Sequence, residues 1–125
     1  MKKILIVEDD KKIIAALTVR LKAAGYEVLT ALDAVMAMRV ALKNEPDLVL
    51  LDISMPGGNG FMVAERLQNS TVTVGVPMIF LTASKQPEMR QKAMELGAAA
   101  FFEKPYEAEA LLTAIRQALG DPVSK

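Results

Sequence analysis

Short apolar runs rich in β-branched residues alternate along the chain with longer segments whose apolar residues recur at helical spacing. Ile4–Val7, Glu27–Thr30, Asp47–Leu51, Met78–Thr82 and Ala99–Phe102 are predicted strands, several apolar almost throughout, as strands covered on both faces are. Lys11–Ala24, Ala34–Asn44, Gly60–Gln68, Glu88–Leu96 and Glu107–Leu119 are predicted helices. Gly25 and Gly97 stand where a left-handed residue ends a helix, and Asp33 and Asn59 where a side chain caps the next one. Five alternations with short connections specify an α/β domain, a parallel sheet with about five helices packed on its two faces. Ligands of such sheets bind beyond the carboxyl ends of the strands, so those residues carry the candidate chemistry.

The helix faces indicate packing and possible contact surfaces. Ile13, Ile14, Leu17, Leu21 and Ala24 form one stripe on the first helix, and Leu111, Leu112, Ile115 and Leu119 another on the last. Both suffice for sheet packing. The second helix, with Met36, Ala37, Met38, Val40, Ala41 and Leu42, is apolar around more of its circumference, and an exposed patch there would mark an interface.

At 125 residues the chain fits one domain, expected over 1–120, with 121–125 as a tail or the start of a linker. It contains no Cys and no His, which removes disulfides, thiol nucleophiles, the usual general base and the commonest transition-metal ligand. Carboxylates, hydroxyls, Lys and Arg remain, with a hard cation as the matching metal. Fifteen Lys plus Arg balance 15 Asp plus Glu, so no basic footprint points to nucleic acid. The apolar run after Lys2 and Lys3 stops at Glu8, too short for a signal core or a membrane span, and a cytoplasmic protein with no membrane insertion is expected.

The first strand runs into Glu8-Asp9-Asp10, the third into Asp52, the fourth into Thr82-Ala83-Ser84 and the fifth into Glu103-Lys104-Pro105. In parallel register these ends converge on one edge. Clustered carboxylates repel one another unless a cation neutralises them, and Mg2+, with Mn2+ as a substitute, takes such oxygen ligands. A carboxylate can then attack a phosphoryl group in line while Lys and a hydroxyl hold the remaining oxygens. Asp52 is the best nucleophile candidate because it alone ends the central, most apolar strand. Singly, each residue has a plainer role. Asp9 or Asp10 would serve as a helix cap, Asp52 would open a turn into Pro56-Gly57, Thr82 suits a strand, and Lys104 suits a surface. Their joint placement at four strand ends favours the shared site.

Ile4-Leu5-Ile6-Val7-Glu8-Asp9-Asp10, Leu50-Leu51-Asp52-Ile53-Ser54-Met55-Pro56-Gly57-Gly58-Asn59-Gly60, Leu81-Thr82-Ala83 and Phe101-Phe102-Glu103-Lys104-Pro105 together resemble the receiver domain of bacterial two-component response regulators. The likeness spans essentially the whole chain. It implies a doubly wound, flavodoxin-like sheet of order 2-1-3-4-5, and phosphorylation of Asp52 by a sensor histidine kinase or His phosphotransfer protein. It also implies Asp9 as the direct Mg2+ ligand, Glu8 acting through water, Asp10 at the helix entry, and the Ser54 backbone carbonyl as a further ligand. Thr82 matches the hydroxyl that closes on the phosphoryl oxygens, Lys104 the family's ammonium, and Phe101 the switch aromatic coupled to the Thr-bearing loop. Lys104-Pro105 matches a bond often cis in receivers. Ser54, where many receivers carry a larger apolar side chain, and Ser84 flank the approach to the phosphoryl group. Asn59 replaces a common Asp and keeps its turn-forming competence.

The implied protein is a phosphorylation-dependent switch read out on the face of the fourth helix, fifth strand and fifth helix, and not an enzyme, since it catalyses only its own aspartyl phosphorylation and dephosphorylation. A free-standing receiver would dock on a downstream target. A receiver within a longer regulator would pass its state to an output domain, often as a homodimer. Ile13 lies near where partners meet many receivers. A phosphatase of the haloacid dehalogenase type also uses Mg2+ and a strand-end Asp, but it needs a second Asp where this chain has Ser54, and a cap domain. Pro56-Gly57-Gly58-Asn59-Gly60 is neither a dinucleotide fingerprint nor a phosphate loop.

Overall fold

The computed structural model describes residues 1–53 and 60–121. Its elements alternate as β1 (Lys3–Val7), α1 (Lys11–Ala23), β2 (Glu27–Ala31), α2 (Ala34–Asn44), β3 (Leu48–Asp52), α3 (Gly60–Gln68), β4 (Met78–Thr82), α4 (Pro87–Glu95), β5 (Ala100–Glu103) and α5 (Ala108–Leu119). The strands form one parallel sheet in the order β2-β1-β3-β4-β5. The order reverses at β1 and β3, and the central β3 and β4 are buried along their whole length.

Successive strand residues feed opposite faces, giving two cores. Leu5, Val7, Val49, Leu51 and Phe80 pack under α2, α3 and α4, whereas Ile4, Ile6, Leu50, Ile79 and Leu81 pack under α1 and α5. On α1, Leu17 and Leu21 are buried and Ile13, Ile14 and Ala24 half-buried, so the stripe serves packing. Leu111, Leu112 and Ile115 do the same on α5. On α2, Ala37 and Ala41 face the core, while Val35, Met36 and Leu42 are exposed, so the broad apolar circumference does reach the surface.

Polar residues set the ends. The Asp10 carboxylate accepts from the Lys12 and Ile13 amides at 2.9 and 3.4 Å, and Asp33 accepts from Met36 at 2.8 Å, satisfying amides that open a helix. Gly25 and Gly97 have φ of 95° and 82°, which glycine adopts without strain. Lys2 Nζ donates to the Leu119 carbonyl and to Asp121, both at 2.7 Å, and the Tyr26 hydroxyl donates to Asp121 at 3.0 Å. Asp121, the second residue past α5, is thereby tied to the sheet's amino edge. The predicted cap Asn59, the Pro56–Gly58 turn and residues 122–125 lie outside the described residues. Among the described residues, no helix is long and apolar enough to cross a membrane.

Candidate functional site

Register alone assembles the site. Val7 pairs with Leu51, so Glu8, whose amide continues the ladder to the Ala31 carbonyl at 3.0 Å, emerges beside Asp52. Asp52 pairs with Leu81, which leaves Thr82 one step further on the adjacent strand. Thr82 pairs with Glu103, and the Lys104 amide donates to the Thr82 carbonyl at 2.7 Å, bringing Lys104 to the same edge. Glu8, Asp52 and Thr82 are buried, at 2%, 5% and 0% exposure.

Glu8, Asp9 and Asp52 each present a carboxylate oxygen within 4.8 Å of the others, with Asp9 alone open to solvent. Lys104 Nζ reaches in from β5, 3.0 Å from Glu8 Oε1 and 3.8 Å from Asp52 Oδ2. Burial pushes the Glu8 carboxyl from 4.5 up to about 7. Its hydrogen bond to Asp52 adds to the rise, and Lys104 opposes it. Below neutral pH, Glu8 therefore holds a proton that it donates to Asp52. Burial also works against the Lys104 ammonium, but the hydrogen bond to Glu8 and the charge of Asp52 outweigh it and hold the pKa above normal. Lys104 is a fixed positive charge across the working pH range.

The donor set suits a hard cation. Three carboxylates against one ammonium leave excess negative charge, and Glu8 relieves it by taking a proton. A divalent ion bound by oxygen relieves it without one. On the opposite flank, Thr82 Oγ1 accepts from the Ser84 amide at 3.0 Å, which holds the hydroxyl within its own loop. The Lys104–Pro105 peptide is cis, and Phe101 is buried at 7% exposure.

Glu8, Asp9, Asp52, Thr82 and Lys104 thus meet at one sheet edge as the strand-end argument expected. Asp10 turns away as a helix cap, and Phe101 lies in the core beneath α4. Ser54, whose carbonyl is an expected ligand, lies outside the described residues. Two neighbours were missed by sequence reasoning. A Cβ on Gly60 would stand 2.6 Å from the Asp52 carbonyl oxygen, so α3 starts in contact with the backbone that carries Asp52. The glycine-rich stretch was the available signal, read only as a turn. Tyr106 is half-buried, its hydroxyl pKa pushed up by burial, with Lys104 opposing and Glu8 adding. Nothing in its spacing announced it.

The family described as response regulator receiver domain matches residues 4–116, and the chain belongs to that family. It is 34% identical over 119 residues to the DNA-binding dual master transcriptional regulator RpaA of Synechocystis, covering 95% of this chain and 49% of that protein. It is 36% identical over 118 residues to the phosphate regulon transcriptional regulatory protein PhoB of Pseudomonas aeruginosa, covering 94% and 52%. The chain therefore spans about half the length of these curated relatives. Among solved structures, the Vibrio cholerae chemotaxis protein CheY4 aligns with a TM-score of 0.88 at 32% identity, covering 95% of this chain and 99% of that one. The receiver domain of HemR from Leptospira biflexa aligns with 0.88 at 33%, covering 100% and 99%. These likenesses make the chain a response regulator receiver domain of two-component signalling, with the CheY-like fold.

Proposed function

We propose that this receiver accepts a phosphoryl group on Asp52 from a phosphohistidine of a sensor kinase or His phosphotransfer protein. The observation that carries the reading is the buried Asp52 carboxylate, with the Lys104 ammonium 3.8 Å away and the Thr82 hydroxyl on the adjacent strand end. A carboxylate oxygen of Asp52 forms the bond to phosphorus as the donor's phosphorus–nitrogen bond breaks, and the imidazole leaves with the electron pair. Lys104 balances the charge of the transferred group, and the Thr82 hydroxyl, whose oxygen accepts from the Ser84 amide, keeps its proton to donate to one of the phosphoryl oxygens.

Asp9 and Asp52 would hold Mg2+ directly, with Glu8 acting through water and the Ser54 carbonyl completing the set. Bound there, the ion screens the charge between the carboxylate and the incoming phosphoryl oxygens. Transfer then biases an equilibrium between two conformations, read out on the face of α4, β5 and α5. Ile13 supports an approach for the partner. With Leu17, Tyr106 and Leu112 it lines a groove of about 280 Å³ between α1 and α5, which shares Tyr106 with the surroundings of Lys104. The test is incubation with Mg2+ and a small acyl phosphate. Wild type should gain one phosphoryl group by intact mass, and Lys104→Ala should gain it far more slowly. Equal rates would remove Lys104 from the chemistry.

A further inference from the structure

Of the helices, α4 has the weakest apolar footing. Only Ala93 is fully buried, with Met89 and Leu96 half-buried, whereas α3, also nine residues long, buries five. Gln86, the residue before α4, supplies no side-chain cap. Two of its cations instead rest on aromatic rings. Arg90 Cζ lies 5.0 Å from the centre of the Phe101 ring on β5, and Lys92 Nζ lies 4.8 Å from that of Phe61 on α3. Two positions apart on a helix, the side chains diverge by roughly 200° and leave on opposite flanks of the Met89–Ala93 seam. Both rings belong to the core, Phe61 lying 5.5 Å from Phe80. A third cation just ahead of the helix, Lys85, reaches Glu103 on β5 at 3.6 Å. The far end is fixed differently, by the Gln68 side chain donating to the Leu96 carbonyl.

We infer that Arg90 and Lys92 clamp α4 onto β5 and α3, so that two cation–ring contacts supplement the sparse apolar burial of this helix. The helix releases from its N-terminal half while the Gln68 tie holds its C-terminal end. The connection to the site is short. The loop from Ala83 to Gln86 joins Thr82 to α4, and the Thr82 hydroxyl is the acceptor for the Ser84 amide. Drawing Thr82 toward a phosphoryl group on Asp52 pulls the bonded Ser84 amide and its loop with it and loads the clamp. This last link rests on the proposed phosphorylation, whereas the clamp does not.

Each exposed cation–ring contact should hold the opening equilibrium back by roughly two- to fivefold, and the pair by roughly four- to twenty-five-fold if independent. Native-state hydrogen exchange on the full, unphosphorylated chain tests this. Arg90→Gln plus Lys92→Gln should speed exchange of the α4 amides by that factor while β1 and β3 amides stay unchanged, and Arg90→Lys should recover most of the Arg90 share. With 4-fluorophenylalanine incorporated, the Phe101 fluorine signal should shift in Arg90→Gln and return toward its position in Arg90→Lys. Unchanged α4 exchange, an acceleration spread evenly over all elements, or no rescue by lysine would each overturn the clamp. A second arm adds an acyl phosphate and Mg2+ to wild type. If Asp52 is phosphorylated and α4 exchange does not rise, the link to the site fails. If no phosphoryl group is transferred, the reading of Asp52 fails and the clamp result stands.

Discussion

The buried Glu8 carboxyl makes the stability of the metal-free protein depend on pH in an unusual direction. Its pKa rises from 4.5 to about 7 on folding, chiefly through burial and then through its hydrogen bond to Asp52. The folded state keeps a proton that the unfolded chain releases between those values. The contribution is therefore fully present below pH 4.5, falls as pH rises, and is gone above about 7. A shift of that size corresponds to about 3 kcal/mol, a large part of the 5–15 kcal/mol typical of a domain. Glu8→Gln keeps a donor for Asp52 and an acceptor for Lys104, loses the acceptor that Oε2 offers the Asp10 amide at 3.3 Å, and cannot ionise. Urea unfolding of both proteins in a chelator, from pH 4.5 to 8, should show only the small, pH-independent cost of that lost bond at the acid end. The variant should gain over wild type by up to about 3 kcal/mol at pH 8. Comparing the two proteins cancels the titrating groups that do not touch Glu8. A difference that stays constant across the range would refute the argument, since the Glu8 proton would then not be linked to folding.

Three further outcomes follow from the same geometry. Gly60→Ala sets a Cβ against the Asp52 carbonyl, so α3 must shift away from β3; a loss of about 1–3 kcal/mol in urea unfolding is expected, and wild-type stability would disprove the contact. Asp9→Ala should weaken Mg2+ binding in a titration with little change in stability, whereas Asp10→Ala should lose about 1 kcal/mol of helix capping and keep its Mg2+ affinity. Equal losses of affinity would mean that the wrong acidic residue has been assigned to the metal. Because ionised Glu8 favours a cation, Mg2+ affinity should rise as pH passes about 7, and a flat profile would count against Glu8 as part of the site.

Much of this was legible in the chain because buried parallel strands must be apolar almost throughout and their ends must carry whatever faces solvent. The strand limits shift by a residue where a polar side chain belongs to the ladder. Lys3 pairs with Glu27 and Asp52 with Leu81, and an apolar criterion excludes both Lys3 and Asp52 from their strands. The end of α2 at Asn44 was legible from helical period alone, although its left-handed residue is Glu45 at φ 48° and no glycine marks it. The convergence of Glu8, Asp52, Thr82 and Lys104 could be argued from strand ends, but their separations depend on register. The clamp on α4 was invisible. Helical period assigns Arg90 and Lys92 to a helix without saying that Phe101 and Phe61 lie across from them.

The central claim is that Asp52 is the phosphoryl acceptor, and intact mass spectrometry after incubation with an acyl phosphate and Mg2+ tests it most directly. Wild type should gain one phosphoryl group and Asp52→Asn none. The same gain in Asp52→Asn, at the same stoichiometry, would contradict the account.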